Sequence, residues 1–463
     1  MQAALEPFRL AHAQQQAFTV AEFLSPIPPP NNPARLYEFH RASNFQTVEQ
    51  DIRNALRYGG YRLNQKESVA WPGILVSYWK AIHSLLRAEE ARNQGTLGAR
   101  DLVEVYDAWK ELTNHFLRHT SNGALPPWTL VCMYRTANYL RIFAAQADAQ
   151  LAKSKESVTF DSGLQDDIAT PAPRSEKLEE TARIFNRIFA LCLNDRNPDM
   201  SQSRKWGTYY MANLQFKTYF KLKNVSLSKN IVRSINAQSD LPSFEAFPAA
   251  HRVTYNYYVG VLAFLQEDYN KAEEHLTEAW NLCLPESLGN QERILTYLIP
   301  TRLITAQTIP TPLLLSSYPR LQKIFGPLVT CIKRGDLHGF DTALAAAEDA
   351  LVRRRIYLTL ERGRDLTLRN LLRKVFLAAG YEELKEGQTE RDRIRKSRIP
   401  LSWFAAALRM SSGAGGEGLN LEDEEIECLI ANQIYKGMMK GYISREHSMV
   451  VLNKKGAFPG TGV

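Results

Sequence analysis

Between Phe45 and Ala149 apolar residues recur three and four positions apart, and alternation of apolar with polar residues is nearly absent. FQTVEQDIRNALRY, ILVSYWKAIHSLLRAEEAR, ARDLVEVYDAWKELTNHFLRH and WTLVCMYRTANYLRIFAAQADAQL all follow this rule. That is the period of an amphipathic helix, so the chain must bury its apolar surface by packing helix against helix. With 463 residues, such a pattern implies several helical domains or one long array. No run of about 18 apolar residues occurs, which argues against a membrane span. MQAALEPFRLAHAQQQAF lacks a basic segment followed by an apolar one, which argues against a secretory signal.

An array is favoured by internal similarity. In YNYYVGVLAFLQEDYNKAEEHLTEAW, the residues Gly260, Tyr269, Ala272, Leu276 and Ala279 have the spacing of a tetratricopeptide-type repeat. Small residues there let two helices approach, and large ones fill the seam to the next pair. NVSLSKNIVRSI is a weaker copy, with Val225, Ser228, Val232 and Ile235 in place of Tyr269, Ala272, Leu276 and Ala279. GDLHGFDTAL is a third, with Leu337, Phe340 and Leu344. Stacked repeats of this kind present surfaces to other macromolecules more often than they carry out chemistry.

Two stretches interrupt the pattern. The first 40 residues, rich in Gln, Ala and Pro and including SPIPPPNNPAR, read as a flexible N-terminus. Residues 153–177, SKESVTFDSGLQDDIATPAPRSEK with its flanks, read as a linker or insertion. Helical repeats therefore occupy 41–152 and, after the linker, 178–365.

From 366 to 458 the character changes. TLRNLLRKVFLAA is an amphipathic helix, and a short extended piece precedes Pro400. The helices LSWFAAALRM and DEEIECLIANQIYKGMMK follow, and GYISREHSMVVLNKK holds two β-prone pieces around a polar turn. Helix, strand, helix, helix and hairpin is the layout of a winged helix. The expected fold is thus mainly α: a tetratricopeptide-like helical stack followed by a C-terminal winged helix.

Motifs of catalysis are poorly supported. Gly413, Gly415 and Gly418 match G-x-G-x-x-G, but a helical run precedes them and Glu422, Asp423, Glu424 and Glu425 follow. A dinucleotide site needs a strand before the glycines and a helix start free of repelling carboxylates, so a loop between helices is the better reading. Glu111, His115 and His119 fall four apart on one helix face, yet H-E-x-x-H is missing and no distant third ligand stands out. No G-x-S-x-G or Cys/His arrangement occurs. Five cysteines lie far apart, reading as reduced, buried thiols. No enzyme activity, cofactor or metal is expected.

The net charge of +8 is concentrated, because residues 351–400 hold 14 Lys/Arg against seven Asp/Glu. Such an excess suits a polyanion or an acidic partner. Candidates for nucleic-acid contact are Arg353, Arg354 and Arg355, then Lys436, Lys440, Arg445, Lys454 and Lys455 around the hairpin. The acidic start of the helix before the wing argues against groove reading; backbone contact and a merely solvated basic edge both stand. Arg391, Arg393, Arg395, Lys396 and Arg398 form a further basic run that the sequence leaves undecided.

Six stretches in order carry a resemblance: KWGTYYMANLQFKTYFKLKNVSLSKNIVRSI, VTYNYYVGVLAFLQEDYNKAEEHL, RILTYLIPTRL, FGPLVTCIKRGDLHGFD, RIYLTLERGRDLTLRNLLRKVF and ECLIANQIYKGMMKGYISREHSMVVLNKKGAFP. Over about 200 to 460 the chain resembles the PCI family, and within it the branch of signalosome-subunit-twelve-like proteins, PCI-domain-containing protein two and Thp-one. The resemblance implies a non-catalytic scaffold subunit of a TREX-2-like complex in transcription-coupled messenger-RNA export or processing. It implies a second PCI protein of the Sac-three or Thp-three type and a small acidic protein of the Dss/Sem type as partners. A nuclear location follows, extending to the nuclear envelope or pore, with a cytoplasmic pool. Tyr442, Ile443, Val450, Val451 and Leu452 are candidates for pairing with the second PCI protein; Lys217, Lys221, Lys223, Lys229 and Arg233 are candidates for the acidic one. The alternatives are a nucleic-acid-binding winged helix as the main activity, and a signalosome-associated regulator. The 153–177 segment and the 411–420 glycine loop depart from the family pattern.

Overall fold

The computed structural model describes residues 1–161, 175–383, 394–411 and 422–463. It divides into two compact units, Met1–Tyr258 and Val259–Val463.

The first unit opens with α1 (Gln2–Ala13), α2 (Ala17–Phe23) and α3 (Arg35–Arg41), so the expectation of a flexible N-terminus is corrected. Leu5, Phe8, Val20 and Phe39 are buried. The Phe8 ring meets Trp71 edge-on at 4.8 Å. The buried Arg35 guanidinium donates to the carbonyls of Phe23 and Ser25, and the Tyr78 hydroxyl lies 2.8 and 3.0 Å from the same two oxygens. These contacts satisfy acceptors left over where α2 ends. The Pro-rich turn between Ser25 and Ala34 stays outside regular structure, as its prolines require.

Next come α4 (Val48–Tyr58), α5 (Glu67–Asn93), α6 (Ala99–Ser121) and α7 (Leu130–Asp161). Trp71, Trp79 and Trp109 are almost wholly enclosed by them. Helix α7 runs through Asp161 and α8 begins at Glu176, so the two ends of the segment read as a 153–177 linker are helical, and 162–174 lie outside the described residues. The unit continues with α8 (Glu176–Leu193), α9 (Thr208–Lys221), α10 (Ser228–Asn236) and α11 (Ala249–Leu265), the boundary between units falling inside α11. In the weak repeat copy, Ser228, Ile231 and Ile235 face the core, while Val232 is half-exposed. The expected register was therefore one residue out at that position.

The second unit contains α12 (Tyr269–Leu282) and α13 (Leu288–Thr305). Gly260 is needed for close approach, because a Cβ there would lie 2.7 Å from Leu276 Cγ. Ala272, Leu276 and Ala279 are fully buried, as the repeat pattern requires. Then follow α14 (Pro312–Ser316), α15 (Pro319–Arg334), α16 (Leu337–Ala346), α17 (Glu348–Arg353) and α18 (Tyr357–Glu361).

The chain closes with α19 (Gly363–Ala378), β1 (Arg398–Pro400), α20 (Leu401–Ser411), α21 (Asp423–Tyr435), β2 (Gly441–Ser444) and β3 (Met449–Leu452). The antiparallel sheet has the order β1-β3-β2. Leu372, Phe376, Ile399, Phe404, Leu408, Ile426, Ile430, Val450, Leu452 and Phe458 form one core. This is the expected winged helix.

The end of α15 is capped by Gly335 N and Asp336 N, which donate to Ile332 O and Cys331 O, and the winged helix adds further donors around it. Asn370 Nδ2 donates to Ile332 O and Lys374 Nζ to Arg334 O, each at 2.8 Å. Ser411 Oγ donates to Gly335 O at 3.0 Å and accepts from Leu337 N at 2.9 Å. Gly335 itself has φ +67, and a Cβ there would lie 2.8 Å from Leu371 N and Cα. Gly335→Ala should therefore cost about 2–4 kcal/mol, combining left-handed backbone strain with a clash. Urea denaturation of the full chain checks this, and Gly289→Ala, with open space around it, is the neutral control.

Candidate interaction surfaces

The sheet has an inner and an outer face. Register places Ile399, Val450 and Ile443 in one row and Arg398, Val451 and Tyr442 in the next. Side chains alternate between faces, so the first row enters the core and the second faces outward: Val450 is fully buried, Tyr442 61% exposed. Val450 and Leu452 are core residues and cannot contact a partner directly, which corrects two of the five expected pairing residues. Strand β3 is also paired on both sides, so the backbone at Val450, Val451 and Leu452 has no free edge to offer.

Two edges remain. Strand β1 is three residues long and includes Pro400, which has no N–H, so that edge is blunted. Strand β2 is the open one. Asn453 N donates to Lys440 O at 3.0 Å. By the antiparallel alternation, Tyr442 and Ser444 turn their backbone groups to β3, and Gly441 and Ile443 turn theirs outward. Of the expected pairing residues, Tyr442 offers an exposed ring and Ile443 an outward backbone.

The basic candidates separate into two groups. Lys436 pairs with Asp365, and Arg445 Nε lies 2.9 Å from Glu427 Oε2. These charges already have partners within the chain. Lys440, Lys454 and Lys455 are exposed, and none pairs with a carboxylate among the described residues. Lys440 is tied to the hairpin end, donating its N–H to Ala457 O. At the same end of the sheet, Leu452 N donates to Ser397 O at 2.7 Å, which brings in exposed Lys396 and Arg398. Arg395 instead covers the Tyr381 ring at 4.7 Å. Arg391 and Arg393 lie outside the described residues. A five-residue basic end thus forms from Lys396, Arg398, Lys440, Lys454 and Lys455. Sequence reasoning left the first two undecided, because strand β1 comes from a segment far earlier in the chain; its only signal was the extended piece before Pro400.

The other candidates lie elsewhere. Arg353 ends α17, and Arg354 and Arg355 lie in the turn to α18, where Arg354 is half-buried and donates to Ala350 O at 2.9 Å. Lys221, Lys223, Lys229 and Arg233 are exposed around the α9–α10 turn, whereas Lys217 is half-buried and acts electrostatically on His251.

His115 Nε2 is 3.9 Å from Glu111 Oε1, and burial lowers the pKa of both His115 and His119. No group of three or more His, Cys, Asp or Glu positioned to hold a metal occurs among the described residues. The glycine loop falls outside them except for Ser411; helix precedes it and helix follows it, α21 starting with a capping box between Glu422 and Glu425. Cys132, Cys192 and Cys283 are buried free thiols, but Cys331 is partly open and Cys428 exposed, contrary to the expectation of uniform burial.

Stacked helix pairs closed by a winged helix with one open strand edge define a scaffold-type protein of the PCI class. Comparison with known proteins agrees. The model of the PCI domain matches residues 344–454. The Protein CSN12 homolog of Neurospora crassa is 47% identical over 470 residues, and that of Gibberella zeae 44% over 474, each covering 100% of both chains. PCI domain-containing protein 2 of Xenopus laevis is 31% identical over 359 residues, 78% of this chain and 80% of that protein. The chain belongs to the PCI-domain family, in the branch of the CSN12 homologs and PCI domain-containing protein 2.

Proposed function

We propose that this protein is a non-catalytic scaffold subunit of a TREX-2-like nuclear complex. It pairs through its winged helix with a second PCI protein of the Sac-three or Thp-three type. A small acidic Dss/Sem-type protein braces the helical stack, and the assembly acts in transcription-coupled messenger-RNA export or processing. The observation that carries this reading is the open β2 edge on a winged helix bonded to the end of α15, an exposed template for strand addition held in one orientation. Co-expression with a Sac-three- or Thp-three-type protein, followed by gel filtration, tests it. A stable heterodimer is expected, and persistent monomers of both chains would overturn it.

Nucleic-acid contact by the winged helix is supported by the basic end that lacks carboxylate partners. Changing Lys440, Lys454 and Lys455 together to Glu should weaken single-stranded RNA binding by at least about tenfold. It should also lower the salt slope by about 2, at about 0.7 per lost phosphate contact. Lys436→Gln and Arg445→Gln should matter much less, since their charges are already paired. Fluorescence anisotropy across a salt series gives both quantities. The name CSN12 homolog, carried by relatives, is what supports a signalosome-associated role as the remaining reading.

A further inference from the structure

Helices α6 and α8 lie side by side in the first unit, and a cavity of about 680 Å³ opens between them. Asn114, Leu117, Arg118 and Ser121 line it from α6, and Arg187 and Leu191 line it from α8. The spacing accounts for this lining. Positions 114, 117, 118 and 121 share one face of α6, and 187 and 191 stand one turn apart on α8. A volume of this size lies within the range of small-molecule sites, about 300–1,000 Å³.

The chemistry of the lining is one-sided. Arg187 Nη2 donates to Asn114 Oδ1 at 2.9 Å, which holds that guanidinium across the gap between the helices. Because Oδ1 accepts this bond, Asn114 keeps its Nδ2 as a donor. Ser121 Oγ donates to Arg118 O at 2.8 Å, so its lone pairs remain for a hydroxyl or amine. No carboxylate lines the cavity. On the same two helices the acidic side chains nearest in sequence are engaged elsewhere. Glu111 Oε1 lies 3.9 Å from His115 Nε2, and Glu180 Oε1 lies 3.1 Å from Lys110 Nζ. Neither Arg118 nor Arg187 pairs with a carboxylate among the described residues.

Two guanidinium groups and an amide around a concavity that lacks an acid form a donor set for an oxyanion with several oxygens. An Arg fork meets phosphate oxygens two at a time. Leu117 is buried and Leu191 half-buried, so the same cavity offers an apolar wall. An extended peptide is less suited, because the lining spans only two turns of α6 and about one of α8.

We propose that this cavity binds a phosphorylated small molecule, with Arg118 and Arg187 on the phosphate and Leu117 and Leu191 against its apolar body. The site goes beyond the scaffold reading and uses none of the winged-helix residues on which that reading rests.

Calorimetry on the full-length chain tests it, with phenyl phosphate as the probe and inorganic phosphate and phenol as its two halves. Phenyl phosphate should bind at least about fivefold more tightly than inorganic phosphate, the scale of partly burying one ring. Arg118→Gln or Arg187→Gln should weaken it by at least about tenfold, the scale of one charge-assisted contact. Arg118→Lys, which keeps the charge and loses the fork, should fall between. Lys221→Gln, outside the lining, should change nothing. Should Arg187→Gln melt early by circular dichroism through loss of its bond to Asn114, Arg118→Gln decides. No binding of phenyl phosphate up to about 10 mM, or unchanged affinity in Arg118→Gln, overturns the assignment. So does equal affinity for phenyl phosphate and inorganic phosphate, which would leave the leucines without a role. If the two Gln changes weaken single-stranded RNA binding while phenyl phosphate fails to bind, the cavity serves a nucleic-acid backbone and the proposal is wrong. Heterodimer formation in gel filtration is a separate readout, so the scaffold reading survives each of these failures.

Discussion

Val450→Asp should unfold the winged helix, whereas Val451→Asp, one residue on, should leave it folded. Val450 is fully buried at the centre of the inner row, between Ile399 and Ile443. An unpaired carboxylate there must be desolvated or protonated, and the apolar burial of the two methyl groups is forfeited. The combined cost is about 4–5 kcal/mol or more, close to the whole stability of a small domain. Val451 lies in the outer row with Arg398 and Tyr442, where a carboxylate meets water and a nearby guanidinium, so a change below about 1 kcal/mol is expected. Limited proteolysis reads the difference: Val450→Asp should release the C-terminal segment early while the Met1–Tyr258 unit resists. Equal resistance of the two variants would mean that the sheet faces have been assigned the wrong way round.

The second large effect concerns the free edge. Ile443→Pro removes an outward N–H of β2, so a strand added there would leave one carbonyl unpaired. Leaving such a group buried costs about 1–3 kcal/mol, or roughly 5- to 150-fold in affinity. Ile443 also packs against the core, so Ile443→Ala is the necessary companion: it loses the same side chain but keeps the amide. The affinity for the second PCI protein in the Pro variant relative to the Ala variant isolates the edge. Calorimetry on the purified pair is the measurement. Equal affinities, with both variants folded, would show that the partner docks on side chains alone.

Much of the architecture was legible because its determinants are local. The three- and four-residue spacing named the helices, and the small and large residues at Gly260, Ala272 and Leu276 named the close pair. The order of helix, strand, helix, helix and hairpin named the winged helix. What was missed depends on contacts distant in sequence. The first 40 residues look featureless because their anchors, Trp71 and Tyr78, lie beyond them in the chain. Val450 and Leu452 look like any β-prone residues until β1 closes the second edge of β3 and the helices cover its inner face. For the same reason, pairing within the chain removed Lys436 and Arg445 from the free cations and left Lys396 and Arg398 among them. Helix α10 shows a limit of pattern matching: when Ile231 and Val232 are adjacent, periodicity alone does not say which one turns inward.

The fan of donors that Asn370, Lys374 and Ser411 direct at the end of α15 has a consequence for recognition. A terminal module on a loose tether would have to search for its orientation, and each docking event would give up that freedom. Bolted to the preceding helix, it has surrendered that freedom on folding, so little further ordering is required at encounter. Its fidelity toward a sibling chain is then a matter of angle as much as of chemistry: a competitor with a similar strand but a different approach direction meets a surface that will not swivel to accommodate it.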